Sequence, residues 1–192
     1  MKQSLKLTSI LFLTLLLSCG EKKNSKSEKF FPVLSYIQSQ VAHVDTSLYS
    51  IRKIIFISDT LTDTIHIPRE AFRNEARDFL NIPDLMESKF QKRFTETKDF
   101  DETINRVMLT YLPVNPDNEE ILRQEVLIAP DPSGDRITSI FIDKMVVTKD
   151  SSVQKKMIWL TDKSFQVTTI KQVKEQPETT STFKVLWNEG DE

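Results

Sequence analysis

The spacing of apolar residues along the chain changes near residue 89, from a helical period to a period of two. Residues 30–44 carry apolar side chains three or four positions apart, which predicts an amphipathic helix that packs on the rest of its domain. Pro32 fits the first turn of this helix, where its missing N–H group costs nothing. The apolar positions are Phe30, Leu34, Ile37, Val41 and Val44, and Leu48 continues the stripe.

Two short strands and a second helix are predicted between residues 49 and 80. Residues 49–58 are rich in isoleucine, which is typical of a strand that is covered on both faces. Residues 64–67 predict a shorter strand after a turn. Pro68 favours the start of a helix, because residues 69–80 carry apolar side chains at helical spacing.

From Lys89 onwards, apolar residues alternate with polar ones, as in half-buried strands. The alternating segments are separated by short polar connections of a length that suits hairpins. The predicted strands are residues 102–112, 120–129, 136–148, 154–161, 164–173 and 180–188. Within the first two, the residues predicted to share a face are Val107, Leu109 and Tyr111, and Leu122, Val126 and Ile128.

A sheet of six or more twisted strands curls, and helices that belong to it pack across its concave face. The predicted fold class is therefore α+β. It is a curved antiparallel β-meander, either a half-barrel or a cystatin-like sheet, with one or two N-terminal helices packed on it.

The composition excludes several kinds of catalytic site. The chain contains 3 Gly, 2 His and 1 Cys. Gly20, Gly134 and Gly190 lie too far apart in the sequence for a glycine-rich phosphate loop or a G-x-S-x-G nucleophile elbow, and a single cysteine is too few for a cysteine-based zinc cluster. The formal net charge of −2 gives no indication of nucleic-acid binding. We expect no enzyme activity, no cofactor and no metal. His43, His66 and the acidic clusters are interpreted as surface and turn residues.

The N-terminus has the features of a secretory signal. Lys2 and Lys6 precede an apolar segment at residues 7–17. As a helix this segment would span about 16 Å, well short of the roughly 30 Å hydrocarbon core of a bilayer. It therefore predicts a signal peptide and not a transmembrane anchor.

The only cysteine follows this segment directly, in Leu16-Leu17-Ser18-Cys19-Gly20. This sequence resembles the lipobox of bacterial lipoproteins, and the resemblance implies cleavage after Ser18 and acylation of Cys19 by membrane lipid. Residues 1–18 are then a signal peptide, residues 19–29 a lipidated cysteine with a polar tether, and residues 30–192 one globular domain. The alternative is a cleavable signal with a chance cysteine.

The resemblance also predicts a location. Gly20 follows the cysteine where an Asp would retain an enterobacterial lipoprotein at the inner membrane, so the outer membrane is favoured. The chain resembles envelope lipoproteins of Bacteroidota, in which an acidic run after the cysteine marks surface export. Here Glu21 is followed by two lysines, so we expect the periplasmic face, with the cell surface as the alternative.

Aromatic residues of the predicted strands are the candidate binding residues. Large aromatics on a sheet face are usually core, but they could instead line a pocket for a lipid or an acyl chain. The candidates are Trp159, Trp187, Phe183 and Tyr111, and the same ambiguity applies to Phe90 and Phe94.

Two functional hypotheses follow. The first is an anchored, non-enzymatic module that binds or scaffolds a partner protein of the envelope, with a filled core and an exposed apolar patch. The second is a carrier or sensor of an apolar ligand held between sheet and helices, in a pocket of about 300–1,000 Å³.

Overall fold

The structure, a computed structural model, describes residues 30–188 of the chain. The predicted signal peptide, Cys19 and the predicted tether lie outside these residues. Nine antiparallel strands form one open sheet, and the helices share a hydrophobic core with one of its faces. The predicted α+β fold, a curved meander with helices packed on it, is confirmed.

The helices are α1 (Val33–Thr46), α2 (Arg69–Glu75), α3 (Arg77–Leu80) and α4 (Ser88–Gln91). The strands are β1 (Arg52–Phe56), β2 (Thr62–His66), β3 (Phe94–Asp101), β4 (Arg106–Pro113), β5 (Ile121–Ala129), β6 (Arg136–Val147), β7 (Ser151–Leu160), β8 (Ser164–Val173) and β9 (Thr179–Leu186).

The strand order is β2-β1-β9-β8-β7-β6-β5-β4-β3. Every neighbouring pair except β1–β9 is consecutive in the chain, as expected of a meander. Strands β2 and β3 are the two edges, so the connection between them, which contains α2, α3 and α4, must pass from one edge of the sheet to the other. This crossing lays the helices over the sheet.

Helix α1 buries the predicted stripe as far as Val44, and Ile37 and Val41 are fully buried. The expectation for Leu48 was wrong, because this side chain is 96% exposed. The helix ends at Thr46, and Ser47 adopts an extended conformation with its N–H group bonded to the carbonyl of Val44. Past that point, helical spacing no longer decides which side chains face the core.

The segment predicted as one helix at residues 69–80 is divided at Ala76, whose backbone leaves the helical conformation (φ −81°, ψ 2°). Phe72 and Phe79 on either side of the break are both fully buried, so the apolar face continues across it. The period of two also begins later than predicted. Phe90 lies in α4, and the first residue of the alternating strand is Phe94.

The prediction that Leu122 shares a face with Val126 in β5 was wrong. A register shift between Ile121 and Arg123 in the pairing with β6 is a β-bulge, and one extra residue reverses the alternation of side chains. Ile121 is therefore buried in the core together with Val126, whereas Leu122 is only half-buried.

The centre of the core is a cluster of aromatic rings from both layers. Phe79 of α3 meets Trp159 of β7 edge-on, with 5.1 Å between ring centroids. Trp159 stacks on Phe165 of the next strand at 5.3 Å, and Phe72 of α2 contacts Trp187 at 5.2 Å. Such pairs add about 0.5–1.5 kcal/mol each beyond the area they bury, so this cluster fastens the helices to the sheet.

The contrast between Ile37 and Leu48 gives a stability prediction. Ile37→Ala should lower the free energy of unfolding by about 2–5 kcal/mol, because it leaves a cavity in the core. Leu48→Ala, on the same predicted stripe, should change it by less than about 0.5 kcal/mol. Urea denaturation followed by tryptophan fluorescence measures both. Equal losses in the two variants would contradict the assigned end of α1.

Candidate functional site

The aromatic candidates for a ligand pocket all lie in or against the packed core. Trp159, Tyr111 and Trp187 are buried, and Phe183 packs on the core cluster from its margin. Among the described residues, the indole N–H groups of both tryptophans lack a hydrogen-bond partner, and an acyl chain could not supply one. Packing accounts for the position of these residues, and a role in ligand binding stays a prediction.

Tyr111 ties the start of the described chain to the sheet. Its hydroxyl oxygen accepts a hydrogen bond of 3.0 Å from the N–H group of Phe31, and its ring lies 5.1 Å from that of Phe30. Burial, and secondarily the hydrogen bond with the Glu96 carboxylate, raise the pKa of the Tyr111 hydroxyl far above its ordinary value. Tyr111 therefore fixes Phe30 and Phe31 against β4.

Charged residues between the layers are also structural. Lys53 of β1 bonds Glu75 of α2 at 2.7 Å, and Lys155 of β7 bonds Asp78 of α3 at 2.6 Å. All four side chains are largely buried. Each pair joins a helix to the sheet, so neither is a free acid or base that could act on a substrate.

Three large apolar side chains are exposed together at the turn of the β1–β2 hairpin. We call residues 56–63 the hairpin tip. Phe56, Ile57 and Leu61 are 40%, 61% and 55% exposed. The turn between them is closed by hydrogen bonds from the N–H groups of Ile57 and Ser58 to the carbonyl of Leu61. The Ser58 hydroxyl accepts from the N–H group of Leu61 in return. These bonds hold three large apolar side chains in water around a fixed turn.

The hairpin tip is also acidic. Between Lys53 and Arg69 the chain contains Asp59 and Asp63 but no Lys or Arg. This surface is not predicted from the sequence, because the segment between the two predicted strands is interpreted only as a turn and residues 49–58 as a strand covered on both faces. The signal was present in the large apolar residues on both sides of a polar turn.

A second surface feature lies on the face of the sheet opposite the helices. It is a recess of about 300 Å³ between β5, β6 and β7, with Phe141 and Ile158 among its lining residues. Several of its polar side chains bond one another. Arg123 bonds Glu125, and the Gln154 amide donates to Asp143 at 2.8 Å. Lys156 also lines the recess and lies opposite Asp143 in the pairing of β6 with β7, so the recess carries charges of both signs.

Groups with metal or acid–base chemistry are dispersed over the domain. Within residues 30–188 there is no group of three or more His, Cys, Asp or Glu side chains that could hold a metal ion. His43 lies beside the ring of Tyr49, at 6.0 Å, and His66 is exposed on the edge strand β2. Hydrogen bonds from the hydroxyl and the N–H group of Ser133 lower the pKa of Asp131, and the same bonds make this acidic loop a turn.

Comparison with protein-family models, with curated proteins and with solved structures finds no match to the chain. Across residues 30–188, no helix combines the length and the apolar character needed to cross a membrane.

Tyr111 generates a pH prediction. Its pKa in the folded protein is raised above the value of about 10 that the unfolded chain has. The folded state therefore binds the proton of the Tyr111 hydroxyl more tightly than the unfolded state does. The stability that this group contributes is intact below about pH 10 and is lost as the pH rises further. The wild-type free energy of unfolding should fall above that pH, and part of the fall should disappear in Tyr111→Phe. Urea denaturation across an alkaline pH series measures this. An identical alkaline fall in both proteins would contradict the assigned burial.

Proposed function

We propose that this protein is a lipoprotein of the bacterial cell envelope, anchored through acylated Cys19, that binds a partner protein without catalysing a reaction. The observation that carries the anchor is the position of the single cysteine. It follows Ser18 at the end of a short apolar segment that begins after two lysines. The thiol of Cys19 is the nucleophile that would accept a diacylglycerol, and more than one acyl chain gives stable attachment. We place the protein in the outer membrane, on its periplasmic face.

The anchor and the domain are connected over a short distance. Ten residues, 20–29, separate Cys19 from Phe30, and ten residues reach at most about 33–36 Å. The domain would therefore work within about one domain diameter of the bilayer. Loss of Lys2 and Lys6 with the signal makes the mature chain more acidic than the full chain, so anionic headgroups would not attract it. Attachment would rest on lipid, which leaves the domain surface free for a protein.

The hairpin tip supports a protein partner of defined chemistry. Phe56, Ile57 and Leu61 offer exposed apolar area beside Asp59 and Asp63, in a segment without a basic residue. A complementary site is an apolar recess with Lys or Arg on its rim, because opposite charges steer encounter and fix the register of an interface. A lipid or acyl chain would find no counterpart for Asp59 and Asp63, so we favour a protein over an apolar ligand.

The anchor has a direct test. Cells labelled with radioactive palmitate should give a labelled wild-type protein that sediments with membranes. Cys19→Ala should lose the label and leave the membrane fraction, because position 19 would no longer carry a nucleophilic sulfur. Ser18→Ala, which keeps a small residue before the cysteine, is the matched control and should stay labelled. Label retained in Cys19→Ala would refute acylation at this residue.

Partner binding is tested by a photo-crosslinking amino acid placed in the anchored protein. At Ile57 and at Leu61 it should give one adduct of the same mass in living cells, because both side chains would lie in the same partner site. Val147, which is 70% exposed at the end of β6, is the control position and should not give this adduct. Charge reversal of the tip, Asp59→Lys with Asp63→Lys, should greatly reduce the adduct. An adduct that is equal at Val147, or insensitive to the reversal, would contradict the proposed surface.

A further inference from the structure

Strand β3 is an edge of the sheet, and no strand within residues 30–188 pairs with its outer side. It spans eight residues, Phe94–Asp101, and all of them except Phe94 are exposed. An edge strand of this length presents a row of unpaired backbone N–H and C=O groups to any other strand. The direction of these groups follows from the pairing with β4. The N–H group of Val114 donates to the carbonyl of Arg93 at 2.8 Å, so the odd-numbered residues face β4 and the even-numbered residues face the open edge.

The side chains of β3 are complementary to the same strand read in reverse. Suppose that two copies pair antiparallel about a two-fold axis through Thr97. Each residue then lies opposite the residue of the second copy that is equally far from Thr97 on its other side. Glu96 then lies opposite Lys98 of the second copy, and Lys98 opposite Glu96 of the second copy. Phe94 lies opposite Phe100 of the second copy, and Thr95 opposite Asp99 of the second copy. These are opposite-charge, aromatic and hydrogen-bonding pairs, the kinds that stabilise neighbouring antiparallel strands.

We propose that β3 is an interface between two copies of this chain, which joins their sheets into one continuous sheet across the two-fold axis. The backbone groups facing the edge belong to Phe94, Glu96, Lys98 and Phe100, and the same register pairs them with each other. Phe100, which is 53% exposed, gains a ring partner at the half-buried Phe90 and the buried Phe94, which lie 6.4 Å apart. An interface in which the same patch meets itself is the usual form of a symmetric dimer.

The geometry agrees with attachment of both copies to one membrane, although the interface does not depend on it. Residues that lie opposite each other in paired strands project from the same face of a sheet. The two-fold axis therefore keeps the helices, and the start of the described chain beside Tyr111, on the same side in both copies. Tyr111 pairs across β3–β4 with Glu96, so both chain starts lie near the axis. The hairpin tips lie at the opposite edge of each sheet, where β1 joins the edge strand β2, and stay free.

The register is tested by disulfide crosslinking of the full chain in whole cells. A Cys19→Ala background makes the introduced thiol the only one and removes any dependence on acylation. Thr97→Cys places two thiols across the axis, where facing residues have Cα atoms about 4.5 Å apart, within the range a disulfide accepts. With a mild oxidant it should migrate as a dimer on a non-reducing gel and return to a monomer on reduction.

Matched variants separate this register from chance collision. Thr95→Cys lies two residues away on the same exposed face and should stay monomeric, because its symmetry mate lies about 13 Å along the strand. Thr95→Cys combined with Asp99→Cys should form the dimer again. In the Thr97→Cys protein, Lys98→Glu should reduce the dimer to the level of Thr95→Cys, and adding Glu96→Lys should restore it.

The opposite results overturn the proposal. A Thr97→Cys protein that stays monomeric, or one that crosslinks no better than Thr95→Cys, would show that the charges of β3 only protect the edge from association. Failure of the exchanged pair Glu96→Lys with Lys98→Glu to restore the dimer would exclude this register. Neither result bears on acylation of Cys19 or on the hairpin tip.

Discussion

The burial of aromatic side chains between the helices and the sheet is the constraint on which the rest of the fold depends. Phe72 and Phe79 enter the core from the segment that crosses between the edge strands, and they meet Trp159 and Trp187 from the sheet. They are the largest side chains that the crossing segment buries, and the smaller Ala76, Ile82 and Leu85 join them in the core. The ion pairs of Lys53 and Lys155 lie near the same helices and satisfy charges that burial would otherwise penalise. One face of the sheet is therefore buried in the core, and the surfaces that can bind another molecule are the edges, the hairpins and the opposite face.

The sequence predicts the architecture well because most helices and strands are marked by a local period of apolar residues. Alternation with a period of two identifies most strands of the meander, and the strand predicted at residues 164–173 has the observed bounds. The errors occur where a backbone event changes the period. Ser47 ends α1 and releases Leu48 into water, and the bulge at Ile121 moves Leu122 to the other face. Neither event has a Gly or Pro at the site to announce it.

The candidate surfaces were harder to predict than the fold, because exposure depends on which elements become neighbours. Phe56 and Ile57 look like core residues in the sequence, yet β1 has only the short edge strand β2 beyond it. In the sequence, Trp159 and Tyr111 suit a pocket and a core equally well. They are seen to be core residues only because α3 packs on Trp159 and Phe30 packs on Tyr111. The self-complementarity of β3 is visible in the sequence, but it has a meaning only once β3 is known to be an edge.

The proposed link between a membrane anchor and a binding domain is tested most directly by the intact mass of the protein extracted from membranes. The extracted chain should begin at Cys19 and carry the mass of a diacylglyceryl group together with an acyl group on its amino terminus. A mature chain that begins at any other residue, or one that begins at Cys19 with an unmodified thiol, would contradict it.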